Sequence, residues 1–254
     1  MAHSPLIPKA GFRDVLAKLE RANESIQNLN SEIVAFLKER PEGVFSENKQ
    51  QAAIELTKFH VERGIPPRFA VIAGEIAHHL RSCLDYIAWL LSTEGYRRDH
   101  ERSISFPIVT EKPRNKDERA SYRRKVKGIL SKDARSLIER LQPYNTGNPP
   151  EDPLAVLNEL DREDKHHTLV LVVVAWDMTF SVPLSLLSTF TISPFYGQVE
   201  RPNPALAAKP KVEFCPNIAF GQIGRWKGGP VIQALTHLLD TVKDDLQRFS
   251  ELQT

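Results

Sequence analysis

Four of the eight histidines stand in two adjacent pairs, His78-His79 and His166-His167, and each pair follows a carboxylate at helical spacing, Glu75-x-x-His78 and Glu163-x-x-His166. Residues three apart share a helix face, so each segment can turn one carboxylate and one imidazole toward a common point. Two such helices are what a di-metal carboxylate bundle uses, each supplemented by a glutamate from another helix. Glu20, Glu24 and Glu32 near the start of the chain, and Asp240 and Asp244 near its end, are of the type needed for supplements. One chemistry open to this chain is therefore that of a metal-dependent enzyme ligated through Glu75, His78, Glu163 and His166. A second chemistry needs neither metal nor cofactor. An imidazole takes a proton from a ribose 2′-hydroxyl while the guanidinium of Arg81 stabilises the charge growing on phosphate. Its candidate residues are Arg81, His78, His79, Asp85 and Tyr86, joined by His166 and His167. A third reading has no chemistry: Asp85, His79 and Arg81 with Asp164-Lys165-His166 form a satisfied polar network between two packed helices of a partner-binding bundle.

The residues that must position this set lie mostly on one segment, 69–91. Phe69, Ile72, Ile76, Leu80, Cys83, Ile87 and Leu91 recur at helical spacing and form a core-facing stripe. The opposite arc holds Glu75, His78, His79, Arg81, Ser82, Asp85, Tyr86 and Trp89, without a single lysine. A washed helix face is filled with lysine and glutamate, whereas these types bond to one another or to a ligand, so a semi-buried polar face is expected. Three further helices must pack around it. The first, 11–38, carries Phe12, Val15, Leu19, Ala22, Ile26, Leu29, Ile33 and Phe36 at alternating spacings of three and four. The second opens at Asp152-Pro153, a capping acid followed by a proline in the first turn, and ends near His166-His167. The last follows Gly228-Gly-Pro and bears Val231, Ile232, Leu235, Leu238, Leu239, Val242, Leu246 and Phe249.

The run His78-His-Leu-Arg-Ser-Cys-Leu-Asp-Tyr86, with Leu157-Asn-Glu-Leu-Asp-Arg-Glu-Asp-Lys-His-His167 later in the chain, resembles a group of largely uncharacterised bacterial proteins. These carry a histidine, Leu-Arg-Ser-x-Leu-Asp and often a further histidine, then a later Asp-Lys-His-Arg. The arginine, four residues, histidine pattern is similar to the signature of HEPN domains. That resemblance implies a helical bundle of a kind that commonly dimerises and often acts as a ribonuclease, of defence or toxin type, or as a nucleotide-binding module. RNA or a nucleotide is then the implied partner, and a homodimer the implied assembly. Tyr86 stands where the pattern has its histidine, and His167 where the second motif shows arginine. A second fit, Arg162 and His167 with four residues between, straddles the end of its helix.

With 41% hydrophobic and 26% charged residues, the chain is of ordinary globular composition, and its length suits one domain over 1–254. Two cysteines, Cys83 and Cys215, are too few for a disulfide framework and point to a reducing compartment. The first residues lack the pattern of a signal peptide and the longest apolar run is short, so a cytoplasmic protein without membrane contact is expected. The formal net charge is +2, yet 97–127 holds eleven basic against five acidic residues. Arg119, Arg123, Arg124 and Lys127 of this segment are the candidate phosphate-binding residues. The expected fold is α+β: a helical bundle built from 8–40, 68–94, 114–167 and 228–252, with a small antiparallel sheet from 42–62 and 168–222. Within it, 54–61 reads as a strand hairpinned with Val44-Phe45, and three strands are expected over 169–176, 186–199 and 211–220. The segment after Gly95 is expected to open as loop around Phe106-Pro-Ile and to become helical over 116–130, and Ser131 is placed to cap the short helix that follows, whose Ala134, Leu137, Ile138 and Leu141 share a face.

Overall fold

The computed structural model describes residues 9–38, 64–181, 190–192 and 211–252. The α+β expectation holds: the described residues are mainly helical, with a small antiparallel sheet. Helix α1, Lys9–Lys38, buries Val15, Leu19, Ala22, Ile26, Leu29 and Ile33, the heptad stripe of the sequence. It lies antiparallel to α2, Pro67–Leu91. Gly11 packs on Leu90 at one end, Arg68 pairs with Glu32 at the other, and the Phe36 and Phe69 rings meet edge to face at 5.8 Å. The Cys83 thiol points at the Val15 carbonyl 3.7 Å away, and burial pushes that thiol up to about 12.

Two short helices follow, α3 (Glu94–His100) and α4 (Lys116–Lys125), and neither buries a residue. The expectation of loop after Gly95 is corrected by α3. Thr93 accepts a hydrogen bond from the Tyr96 amide and so caps a turn that has no apolar period to announce it. The helix expected over 116–130 ends at Lys125, since Val126 and Ile129 turn into the core and Gly128 lies against the Tyr96 ring. Helix α4 is held by its cap: Asn115 accepts from the Glu118 amide, and Glu118 accepts from the Arg114 amide. Helix α5, Lys132–Arg140, is capped by Ser131 as its sequence predicts.

Asp152 caps α6, Pro153–His166, which turns Leu154, Leu157, Leu160 and Asp161 inward. Helix α7, Val231–Ser250, closes the bundle against α1, α2 and α6. The sheet is three-stranded with order β2-β1-β3: β1 is Leu171–Ser181, β2 Phe190–Ile192 and β3 Lys211–Phe220, all antiparallel. The β1–β3 register runs from Leu171 opposite Phe220 to Ser181 opposite Lys211, with an irregularity between Ala175 and Asp177. The strand expected at 169–176 thus starts later and runs longer, while the one expected at 211–220 matches β3. The expected strand at 54–61 and its hairpin lie outside the described residues, as does most of 186–199. One continuous apolar core joins α1, α2, α5, α6 and α7 to Phe106, Ile218 and Phe220. No described helix is long and apolar enough to cross a membrane.

Candidate functional site

The polar arc of α2 divides into three parts with different partners. At its centre Arg81 is buried, with only 8% of its surface exposed, and its guanidinium is committed. One nitrogen donates to Asp85 Oδ1 at 2.7 Å and the other to the Phe106 carbonyl at 2.8 Å, while the Phe106 amide donates back to Asp85 Oδ1 at 2.8 Å. An arginine and an aspartate one turn apart thus grip both backbone groups of one residue, as a neighbouring strand would. The Phe106 ring is driven into the core, edge to face with Phe249 at 6.0 Å. Burial raises the Asp85 carboxyl above its ordinary range, with the Arg81 cation and the Phe106 amide opposing. Gln142, fully buried, holds the same loop from the other side. It donates to the Pro107 and Ile138 carbonyls, both at 2.9 Å, and accepts from the Val109 amide at 3.0 Å.

Toward the start of α2 the partner is α6. His78 Nδ1 lies 2.9 Å from Asp161 Oδ1, and the other Asp161 oxygen accepts from Lys165 at 2.6 Å. Asp164 packs directly on Gly74, where a side chain of any size would meet its carboxylate. Burial raises the Asp164 carboxyl, and the neighbouring Asp161 adds to the effect. These contacts run α6 antiparallel to α2, so His166 and His167 point toward the first turns of α2. Asp85, eleven residues beyond Gly74, lies about 16 Å farther along the axis. His166 and His167 are exposed and their side chains make no hydrogen bond among the described residues. The two halves expected to form one site, Arg81 with Asp85 and His166 with His167, are therefore not brought together. On α6 the acids that face α2 are Asp161 and Asp164, on the Leu157 and Leu160 stripe, and Glu163 and His166 lie off it. Accordingly Glu75, His78, Glu163 and His166 do not converge. Among the described residues no three His, Cys, Asp or Glu side chains gather as a metal-ion site.

Along the third part, Ser82, Asp85, Tyr86 and Trp89 line a cleft of about 390 Å³. Two cations that the sequence pattern does not single out border it. Lys18 of α1 sits 5.4 Å above the Tyr86 ring, and Arg97 of α3 sits 5.7 Å from the Trp89 ring. His79, one turn before Ser82, is half-buried with its Nδ1 atom enclosed and unbonded. Burial, followed by the Lys18 and His78 charges, lowers its proton affinity, so its imidazole is neutral at neutral pH. Arg119 and Arg123, one turn apart on α4, line a second cavity with Lys112, Tyr122, Glu139 and Tyr144, whereas Arg124 and Lys127 are exposed and do not line it.

Only the helical spacings within α2 were available to find the first cluster, and they placed Tyr86, Trp89, Ser82 and Asp85 on one arc correctly. Lys18, Arg97, Phe106 and Gln142 reach that arc through tertiary packing, for which a single sequence carries no local signal. The Asp161 contact did have a signal, because Asp161 and Asp164 continue the apolar stripe of α6 one turn at a time. Comparison with family models, with curated proteins and with solved structures finds no match for this chain, so its own geometry is the ground for a functional reading.

Proposed function

We propose that the α2 cleft binds a nucleotide or a short stretch of single-stranded RNA, one base stacking on the aromatic rings and the phosphates meeting the bordering cations. The observation that carries this reading is the pairing of Tyr86 and Trp89 in one cleft with a basic side chain over each ring. Single strands are held by this combination, because every base has a flat face and the backbone beside it is anionic. Ser82 and Asp85 at the same cleft supply a hydroxyl and a carboxylate for base-edge donors. The reading agrees with the nucleotide-binding side of the HEPN resemblance. Binding is favoured over cleavage, since the Arg81 guanidinium is already engaged by Asp85 and the Phe106 carbonyl and Tyr86 stands in place of an imidazole.

The test is fluorescence anisotropy with a labelled oligouridylate at low salt. Trp89→Ala and Tyr86→Ala should each weaken binding by about 1–3 kcal/mol, the range for one stacked base. Lys18→Ala with Arg97→Ala should reduce the dependence on salt, because fewer counterions are released. No measurable binding, or binding that ignores all four substitutions, sinks the reading. Incubation of the same oligonucleotide with the parent protein and with Tyr86→His, in chelator, asks the nuclease question separately. Cleavage by the parent would replace binding with metal-independent hydrolysis.

A further inference from the structure

We propose that the cavity between α4, α5 and the 143–145 turn is a phosphomonoester site, separate from the α2 cleft and not dependent on that cleft's reading. The cavity is about 310 Å³, near the lower end of the roughly 300–1,000 Å³ range of small-molecule pockets. That is the volume of a small molecule that carries a phosphoryl group.

Its charge fits a dianion. Lys112, Arg119 and Arg123 line it against one carboxylate, Glu139. A phosphomonoester carries about −1.5 to −2 near neutral pH. None of the three cations is matched to a carboxylate among the described residues, and Arg119 spends one nitrogen on the Arg114 carbonyl. Arg119 and Arg123 stand at i and i+4, where like charges oppose helix formation. Helix α4 buries no residue fully and rests on the core through Tyr122, so little packing offsets that repulsion, and an anion between the two guanidiniums would relieve it.

The donors are also in place. The Tyr122 hydroxyl is enclosed beside Glu139 and Tyr144 and closes no hydrogen bond of full geometry with either, so a phosphoryl oxygen can still accept from it. Tyr144 donates to Glu139, so the one carboxylate that lines the cavity is held by a phenol, and its single negative charge stands against three cations. Burial first, and the adjoining Glu139 carboxylate next, through hydrogen bonding and then through its charge, push both phenols above their ordinary range, so both remain protonated donors through the physiological range. The Tyr122 and Tyr144 rings leave flat surface beside the cations, which suits a ligand that carries its phosphate on a ring-bearing group.

The experiment is isothermal titration of the full chain at low salt with inorganic phosphate and, separately, adenosine 5′-monophosphate. Both should bind, and Arg119→Gln with Arg123→Gln should raise Kd by about tenfold or more, the loss of charge-assisted hydrogen bonds. Tyr122→Phe should raise it by about threefold to tenfold, one neutral donor. Tighter binding of the monophosphate than of phosphate assigns the rings to the nucleoside, and equal binding assigns the site to the phosphoryl group alone. Neither ligand binding at millimolar concentration, or titrations unchanged in the double variant, overturns the proposal. Trp89→Ala, which bears on base stacking in the α2 cleft, should leave the inorganic phosphate titration as it is, because phosphate has no ring to stack. Loss of phosphate binding in that variant would move the anion to the cleft and overturn the proposal as well.

Discussion

Replacing Arg81 by alanine isolates what the Leu-Arg-Ser-x-Leu-Asp segment does for this protein. The substitution deletes two short hydrogen bonds, to Asp85 and to the Phe106 carbonyl, from a side chain that is almost wholly buried. Hydrogen bonds to a charged group contribute about 1.5–3 kcal/mol each, and breaking one partner of a buried ion pair costs about 3–5 kcal/mol. Asp85 has 36% of its side chain exposed and can recruit water, which sets the expected loss toward the lower end, about 2–4 kcal/mol. For a chain of this size that is a fall in Tm of about 4–16 °C.

The pH dependence sharpens the test. Burial already raises the Asp85 carboxyl, and Arg81 is the leading influence that opposes it. Without Arg81 the folded-state pKa rises further above the unfolded value, so the stability that protonation brings is present at low pH and lost as pH climbs through the folded pKa. The destabilisation by Arg81→Ala should therefore be larger at pH 7 than at pH 5, and Asp85→Asn in the same chain should recover part of it. Urea unfolding of the parent, both single variants and the double variant yields the coupling energy directly. A midpoint for Arg81→Ala within error of the parent would refute the clamp and return Arg81 to the list of groups free to meet a ligand.

Two further outcomes are expected elsewhere. Asp245 of α7 is 3% exposed, one of its oxygens has no partner, and burial pushes its carboxyl up to about 6 against the Arg248 cation. Its folded pKa lies above its unfolded one, so its contribution is full below about pH 4 and lost through pH 6. Asp245→Asn should then stabilise the protein at pH 7 by up to about 2–3 kcal/mol and flatten the gain in Tm between pH 7 and pH 5; an unchanged pH profile would show that the carboxyl is solvated. Gly228 has φ +81° and a Cβ there would lie 2.2 Å from the Phe220 carbonyl oxygen. Gly228→Ala should lower stability by about 2–4 kcal/mol in thermal melts, since strain and a backbone clash add, whereas Gly147→Ala, with open space around it, should stay within about 0.5 kcal/mol of the parent.

What the sequence made legible were features set within one element. The stripes of α1, α2 and α7, the Ser131 and Asp152 caps and the bounds of β3 all follow from period or from local hydrogen bonding, and each is present. Helix α3 has neither a buried residue nor a period, so only its Thr93 cap could have announced it. The polar face of α2 was expected as one site with α6, and it is three sets of contacts. His78 is claimed by Asp161, Arg81 by a loop twenty-five residues away in sequence, and Tyr86 by a lysine of α1. Residue types told that the face was not a washed one, but partner choice across helices depends on their relative rotation and direction, which the types do not encode.

The loop that Arg81 grips gives these separate contacts a common consequence. It begins at Phe106, bonded to the same Asp85 that lines the α2 cleft, and passes Pro107 and Val109, both held by Gln142. The Tyr144 amide donates to the Val109 carbonyl, and six residues past Phe106 the chain reaches Lys112, so its far end builds one wall of the basic cavity. A side chain of the cleft and a wall of the cavity are therefore fixed by one clamped strip of backbone, with the Phe106 ring in the core between them. Arg81 and Gln142 are buried donors whose bonds go to backbone groups, so they hold the strip whatever side chains it carries. On the two proposals made above, that arrangement separates support from recognition: the motif-bearing residues at the helix centre set the frame, while the groups those proposals assign to a ligand, Tyr86, Trp89, Lys18 and Arg97 on one side and Arg119, Arg123 and Tyr122 on the other, stand beside it.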